Sequence, residues 1–175
     1  EPDPTNFSIL KKNVELNGYR NVIFIQKAVS NKIGAIKLYL SDENKGDHRI
    51  YNPTNDYRNS SVDIESVRLD DYFRNYQGRI DFIKMDIQGA EMLALEGMSA
   101  LLEKNRNVKM MTEFVPGILR SNNSDPTEFL NILARIGLTI FHINAKYGNL
   151  EKVNLPCSLK SFSGRTLFCA KEIGA

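Results

Sequence analysis

Apolar positions along the chain follow two periods, one typical of buried strands and one typical of helices. Residues 80–85 form a short apolar run of the strand type, and apolar residues then return at three-to-four spacing over residues 90–101. The polar residues Asp86, Gln88 and Glu91 lie at the junction between the two periods. Ligands of open α/β sheets collect where a strand ends and a helix begins, so this junction is the first candidate for a functional site.

The same alternation of strand and helix patterns extends over most of the chain. Apolar runs predict strands over residues 22–25, 36–40, 62–67, 80–85, 108–114 and 138–143. Helical spacing and capping residues predict helices over residues 4–17, 69–76 and 90–104, and one from Asp125 to just before Gly137. Residues 41–61 form a long polar segment, and Pro116 and Gly117 predict a loop. The turn residues Tyr147-Gly148-Asn149 and the apolar tail around Leu167 predict a closing hairpin. This order favours a mainly parallel sheet covered by helices on both faces.

Composition narrows the class of protein without identifying a partner. A chain of 175 residues, 42% hydrophobic, suffices for one sizeable core, and we expect residues 1–175 to form a single domain. The net charge of +2, from 23 basic and 21 acidic residues, indicates neither nucleic acid nor an anionic membrane as a partner. No apolar run approaches the roughly 18–20 residues that cross a bilayer. Cys157 and Cys169 lack metal-ligand spacing, which favours reduced thiols and a cytoplasmic location.

Several blocks of the sequence together resemble the FkbM family of S-adenosylmethionine-dependent methyltransferases. The segment IDFIKMDIQGAEMLALEG matches the strand, turn and helix of that family, which ends its turn in EGAE. The likeness continues, in the family's order, over residues 1–18, 26–40, 67–73 and the strand containing Glu113. The resemblance implies a class I, three-layer Rossmann-like sheet, mainly parallel with antiparallel C-terminal strands. It also implies S-adenosylmethionine as the cofactor and methylation of a hydroxyl on a sugar or secondary metabolite.

One departure from the family concerns the start of the chain. The family has a first strand and a glycine-rich turn before the acidic residue that aligns with Glu1, and this chain opens on that residue. We therefore expect an N-terminally incomplete domain. The strand expected there lies at the middle of the sheet, so its neighbours would expose edges and could pair with another copy of the chain.

The resemblance also implies which residues bind the cofactor. The set is Glu1, Lys27, Ala28, Val29, Asp86 and Gln88. Glu1 aligns with the acid that hydrogen-bonds ribose hydroxyls, and the segment after Gln26 aligns with residues that pack on the adenine. Gln88 stands where the family more often has Glu, so a neutral amide replaces a carboxylate, and we expect no metal site.

Methyl transfer to a hydroxyl usually needs a group that takes the hydroxyl proton. The candidate catalytic residues are Asp86, His48, Glu113 and Glu91. For Asp86 the alternative is an N-cap of the next helix, for Glu91 a favourable position in the helix dipole, and for His48 an exposed loop residue. If Asp86 and Glu113 converge, their repulsion would raise the pKa of one of them and make it a base.

Two functions remain open from the sequence. The first is an O-methyltransferase acting on a hydroxyl of a small molecule or carbohydrate. The second is a noncatalytic interaction module, or an inactive fragment, that keeps the methyltransferase scaffold. Binding of the cofactor distinguishes the two.

Overall fold

The computed structural model of the chain describes residues 1–53, 57–105, 107–144, 146–159 and 165–171, apart from the side chain of Arg165. The helices are α1 Pro4–Leu16, α2 Leu69–Tyr72, α3 Glu91–Glu96, α4 Ser99–Lys104, α5 Pro116–Ser121 and α6 Pro126–Arg135. The strands are β1 Ala28–Val29, β2 Gly34–Tyr39, β3 Ser61–Val67, β4 Phe82–Met85, β5 Lys109–Phe114, β6 Thr139–Asn144, β7 Asn149–Lys152 and β8 Arg165–Ala170. None of the helices in these described ranges is long and apolar enough to cross a membrane.

The strands form two mixed sheets. The smaller has the order β1-β3-β2, with β1 parallel and β2 antiparallel to β3. The larger has the order β4-β5-β8-β6-β7. In it, β4 and β5 are parallel, while β8 returns antiparallel between β5 and β6, and β7 forms a hairpin with β6. The antiparallel C-terminal strands match the expectation. The described strands as a whole pair in a mixed pattern, where the sequence predicted mainly parallel pairing.

The main core is formed by the five-stranded sheet together with α3–α6. Its fully buried side chains include Met110, Phe114, Phe129, Leu130, Leu133 and Leu167. The rings of Phe114 and Phe129 stack with their centroids 5.9 Å apart. Burying one side chain of this size contributes about 1.5–3 kcal/mol, so these contacts fix β5 against α6. A smaller core joins the strands of the other sheet through Ala28, Leu38 and Ile64.

The helix predicted over residues 90–104 is divided into α3 and α4. In a continuous helix the Gly97 carbonyl would accept from the Leu101 N–H. Here the Asp70 backbone N–H donates to the Gly97 carbonyl at 2.9 Å, and Asp70 Oδ1 accepts from the Leu101 N–H at 2.8 Å. A Cβ atom at Gly97 would also lie 2.2 Å from the Ser30 carbonyl oxygen. Contacts with Asp70 and Ser30, which are distant in sequence, therefore interrupt the helix between α3 and α4.

Two other local predictions were wrong. Residues 22–25 form no strand, because no described strand pairs with them, and Ile23 is 84% exposed. Pro116 begins α5 instead of a loop. Proline suits the first turn of a helix, where its missing N–H costs no hydrogen bond.

Candidate active site

A cleft of about 240 Å³ lies between the two sheets, where the start of α1, β1, residues 45–50 and the turn after β4 meet. Its apolar lining comes from Pro2, Ala28, Val29, Leu38, Ile50, Ile87 and Ala90. Its polar lining comes from Glu1, Asn6, Lys27, Lys45, His48, Asp86 and Gln88. Apolar walls with a few convergent polar groups are typical of a small-molecule site.

The cleft brings together most of the residues that the sequence singled out. All the residues expected to bind a cofactor line it, and so does His48. Glu91 and Glu113 do not line it, although both lie beside the turn that does. Asn6 and Lys45 also line the cleft and were not predicted as site residues. Asn6 Nδ2 donates to the Lys45 carbonyl at 2.8 Å, a long-range contact that no local pattern signals.

The strand-to-helix turn, residues 86–90, has a fixed and unusual backbone. Gln88 has φ 55° and Gly89 has φ 93°, so two successive residues lie in the left-handed region. A Cβ atom at Gly89 would lie 2.6 Å from both Tyr51 Oη and Ile118 Cγ2. Asn122 Nδ2 donates to the Gly89 carbonyl at 2.9 Å. The polar segment and α5 thus hold the turn from outside, and only glycine fits at residue 89.

Glu91 holds the same turn from inside. Its side chain is only 2% exposed, and its Oε1 accepts from the Ile87 N–H at 3.2 Å. Burial, with a smaller contribution from the charge of Glu113, raises the pKa of Glu91 to about 7, against the lowering effect of hydrogen bonds from the turn backbone. Because the carboxyl is enclosed and does not face the cleft, Glu91 fixes the turn that presents its neighbours.

The Gln88 amide links two carboxylates at the ends of β4 and β5. Gln88 Nε2 lies 3.1 Å from Asp86 Oδ1 and 3.5 Å from Glu113 Oε2. On its other side, Asp86 Oδ2 accepts from Lys84 Nζ at 3.1 Å. Burial and then the charges of Asp86 and Asp47 raise the pKa of Glu113, while Lys84 and Arg49 oppose the rise. The N-cap of α3 is Ala90, so Asp86 is not the helix cap that was its alternative interpretation.

Three charged side chains near His48 form a cluster of ion pairs that fixes this part of the polar segment. Asp47 accepts from Arg49 at 2.8 and 3.1 Å and from Arg58 Nη2 at 2.7 Å. Burial alone would raise the pKa of Asp47, but the hydrogen bonds and charges of the two arginines lower it overall. His48 Nδ1 accepts from the Ser41 N–H at 3.0 Å. Residues 45–50 therefore form a preformed wall of the cleft.

The two remaining charged residues of the predicted cofactor set already have partners in the protein. Glu1 Oε1 accepts from the Asp3 N–H at 2.8 Å, close to the start of α1. Lys27 Nζ lies 2.6 Å from Glu65 Oε2 on β3. These contacts orient both side chains at the border of the cleft.

One known family matches most of the chain that forms this cleft. The profile of the family described as Methyltransferase FkbM domain matches residues 1–144. The chain belongs to the FkbM methyltransferase family. The match confirms the resemblance seen over residues 1–115 and extends it through α6 and β6. The chain matches no curated protein and no solved structure.

The FkbM domain shows no candidate metal centre in its described residues. Within those ranges, no three His, Cys, Asp or Glu side chains come together in a way that could hold a metal ion. Asp86 and Glu113 converge on the Gln88 amide. An amide at residue 88 donates hydrogen bonds to both carboxylates, whereas a Glu at the same position would repel them.

Proposed function

We propose that the cleft binds S-adenosylmethionine and that the protein transfers its methyl group to a hydroxyl of a small molecule or carbohydrate. The main support for this proposal is that the residues expected to bind the cofactor meet in one place. Glu1, residues 27–29 and the pair Asp86 and Gln88 are distant in sequence, and the family resemblance assigns each of them to the cofactor. All of them line one cleft.

The residues present suit such a cofactor. Ala28, Val29 and Leu38 offer an apolar surface for a purine ring, and a carboxylate such as Glu1 accepts hydrogen bonds from ribose hydroxyls. The carboxylate of Asp86 suits a positively charged sulfonium. The volume of about 240 Å³ is slightly below the roughly 300 Å³ at the lower end of ligand pockets. The described walls would thus enclose part of this cofactor and leave the rest at the opening.

The chemistry then depends on Asp86 and its neighbours. When bound, S-adenosylmethionine supplies an electrophilic methyl group on sulfur. In our proposal Asp86 would take the proton of the acceptor hydroxyl while the methyl group passes to that oxygen. The Gln88 amide and the Lys84 ammonium orient Asp86 through its two oxygens. Glu113 stands beside them as a second proton acceptor, and Glu91 acts by positioning the turn.

We also assign the domain to the class I, Rossmann-like arrangement. The parallel pairing of β4 and β5 across the α3–α4 connection supports this assignment. The thiols of Cys157 and Cys169 are both free. Free thiols fit a reducing compartment, and we propose the cytoplasm as the location.

Calorimetric titration of S-adenosylmethionine into the chain tests the proposal. We expect the wild type to bind, and Asp86→Asn to bind at least about tenfold more weakly, as expected for losing one charge-assisted contact. Asp81→Asn is the matched control, since Asp81 pairs with Arg79 and lies outside the cleft. Absence of binding by the wild type would contradict the proposal and favour the noncatalytic module.

A further inference from the structure

His48 presents its two ring nitrogens to different surroundings. Its Nδ1 accepts a hydrogen bond from the backbone N–H of Ser41 at 3.0 Å. A backbone N–H is always a donor, so Nδ1 must carry the lone pair. In the neutral imidazole the ring proton then lies on Nε2. The backbone of Ser41 therefore selects one tautomer of His48.

The contacts around His48 hold this arrangement in place. The residue after it, Arg49, exchanges backbone hydrogen bonds with Tyr39 at 2.7 and 3.0 Å. The residue before it, Asp47, is fixed by two arginines, of which Arg58 is 6% exposed. Ser41 is itself buried, and its Oγ accepts from the Asn44 N–H at 3.2 Å. Both sides of the Ser41–His48 bond are thus anchored, which preorganises the ring.

The second ring nitrogen is left for a ligand. His48 lines the cleft, and no residue in the described part of the chain forms a hydrogen bond with its Nε2. We infer that His48 is a binding residue, which donates its Nε2–H to a lone-pair acceptor atom of the S-adenosyl ligand in the cleft. This inference rests on the proposed function and gives His48 a role different from proton acceptor.

The same geometry argues against His48 as the base. A base at Nε2 needs a lone pair there, which moves the proton to Nδ1 in the neutral ring. Nδ1–H would then face the Ser41 N–H, two donors 3.0 Å apart. Leaving a half-buried donor unpaired is unfavourable. The carboxylates Asp86 and Glu113 carry free lone pairs and need no change of tautomer to accept a proton, so proton transfer falls to them.

Two substitutions separate the two nitrogens of His48. In His48→Asn the side-chain oxygen occupies the place of Nδ1 and keeps the Ser41 contact, but the Nε2 donor is lost. In His48→Gln the amide NH₂ reaches the place of Nε2 and keeps the donor, while the Ser41 contact is lost. Thermal melting of both variants shows that each is folded before binding is measured.

The experiment combines binding with a direct reading of the tautomer. Nitrogen-15 NMR of the ligand-free wild type, recorded at a pH where the His48 ring is neutral, should show Nε2 protonated and Nδ1 unprotonated. Titration with S-adenosylhomocysteine should show about three- to tenfold weaker binding by His48→Asn, the usual value of one neutral hydrogen bond, and a smaller loss by His48→Gln.

The outcomes distinguish this inference from the proposed function. A neutral ring with its proton on Nδ1, or His48→Asn binding as tightly as a wild type that binds, overturns the role of His48 and leaves the cofactor site standing. Failure of the wild type to bind S-adenosylhomocysteine overturns both.

Discussion

Glu91 Oε1 accepts a hydrogen bond from the backbone N–H of Ile87 at 3.2 Å, so a buried carboxyl closes the turn that brings Asp86 and Gln88 to the cleft. The side chain that stabilises the turn is thus also one that resists ionisation, since its pKa is raised to about 7. The stability of the domain and the shape of its site therefore depend on one titrating group.

The first prediction follows from that pKa. The ordinary pKa of Glu91 is 4.5 and its pKa in the fold is about 7, so between these values the folded state binds a proton that the unfolded state has released. Stability should therefore fall as pH rises from about 4.5 to about 7, by about 3 kcal/mol. Glu91→Gln keeps an oxygen for the Ile87 N–H and should remove this fall. Urea unfolding at pH 5 and pH 8 measures the difference. Parallel pH profiles for the wild type and the variant would refute the assignment.

The second prediction concerns Gly89. Gly89 has φ 93°, and a Cβ atom there would lie 2.6 Å from Tyr51 Oη and Ile118 Cγ2. Gly89→Ala should therefore introduce both backbone strain and a steric clash. We expect the free energy of unfolding to fall by about 1–3 kcal/mol. Gly117→Ala is the control, because Gly117 lies in α5 and a Cβ atom there would meet nothing within 4 Å beyond its own helix backbone and chain neighbours. That control should be neutral or stabilising by up to about 1 kcal/mol. Equal effects of the two substitutions in denaturant titrations would argue against this account of the turn.

The third prediction tests the coupling of the two carboxylates. Burial makes the largest contribution to the raised pKa of Glu113, and the negative charge of Asp86 makes the next largest. Asp86→Asn should therefore lower the pKa of Glu113, and Asp81→Asn should leave it unchanged. Carbon-13 NMR of the Glu113 carboxyl over a pH titration gives the value directly. An unchanged pKa in Asp86→Asn would show that the two groups are not coupled.

The fourth prediction concerns the outer edge of β4. In the described ranges β4 pairs only with β5, and Phe82 on that strand is 50% exposed. Unpaired edges promote association between chains, so we expect the 175-residue chain to self-associate. Phe82→Lys should shift it towards monomer, because lysine protects natural edge strands. Tyr147→Lys, at another exposed aromatic, is the control. Light scattering after size-exclusion chromatography measures the oligomeric state, and a monodisperse wild-type monomer would contradict the prediction.

Local sequence patterns predicted most elements of the fold. Asp3 and Asp125 cap their helices as their sequence positions indicate, accepting from the Asn6 and Thr127 N–H groups at 2.8 Å. The predictions failed where a distant residue decides the local structure. The Asp70 backbone and side chain take over the hydrogen bonds at Gly97, and residues 22–25 have no described neighbour strand to pair with. Neither effect leaves a signal within a short window of sequence.

The candidate site was predictable in part for a similar reason. Asp86 and Gln88 follow a strand directly, so the rule that ligands collect at strand ends located them. The role of Glu91 in closing the turn could not be read from the sequence, since helix position alone explains its charge equally well. The burial of Arg58 against Asp47 depends on the path of the polar segment, which no periodicity specifies.

The central claim is that the cleft between the two sheets is the cofactor site. Methyl NMR during titration with S-adenosylmethionine tests it most directly. We predict shifts at the cleft-lining methyl groups of Ala28, Val29, Leu38 and Ile87, and unchanged signals for Leu133 and Ile140 in the main core. Shifts confined to other residues, or none at saturating ligand, would contradict the claim.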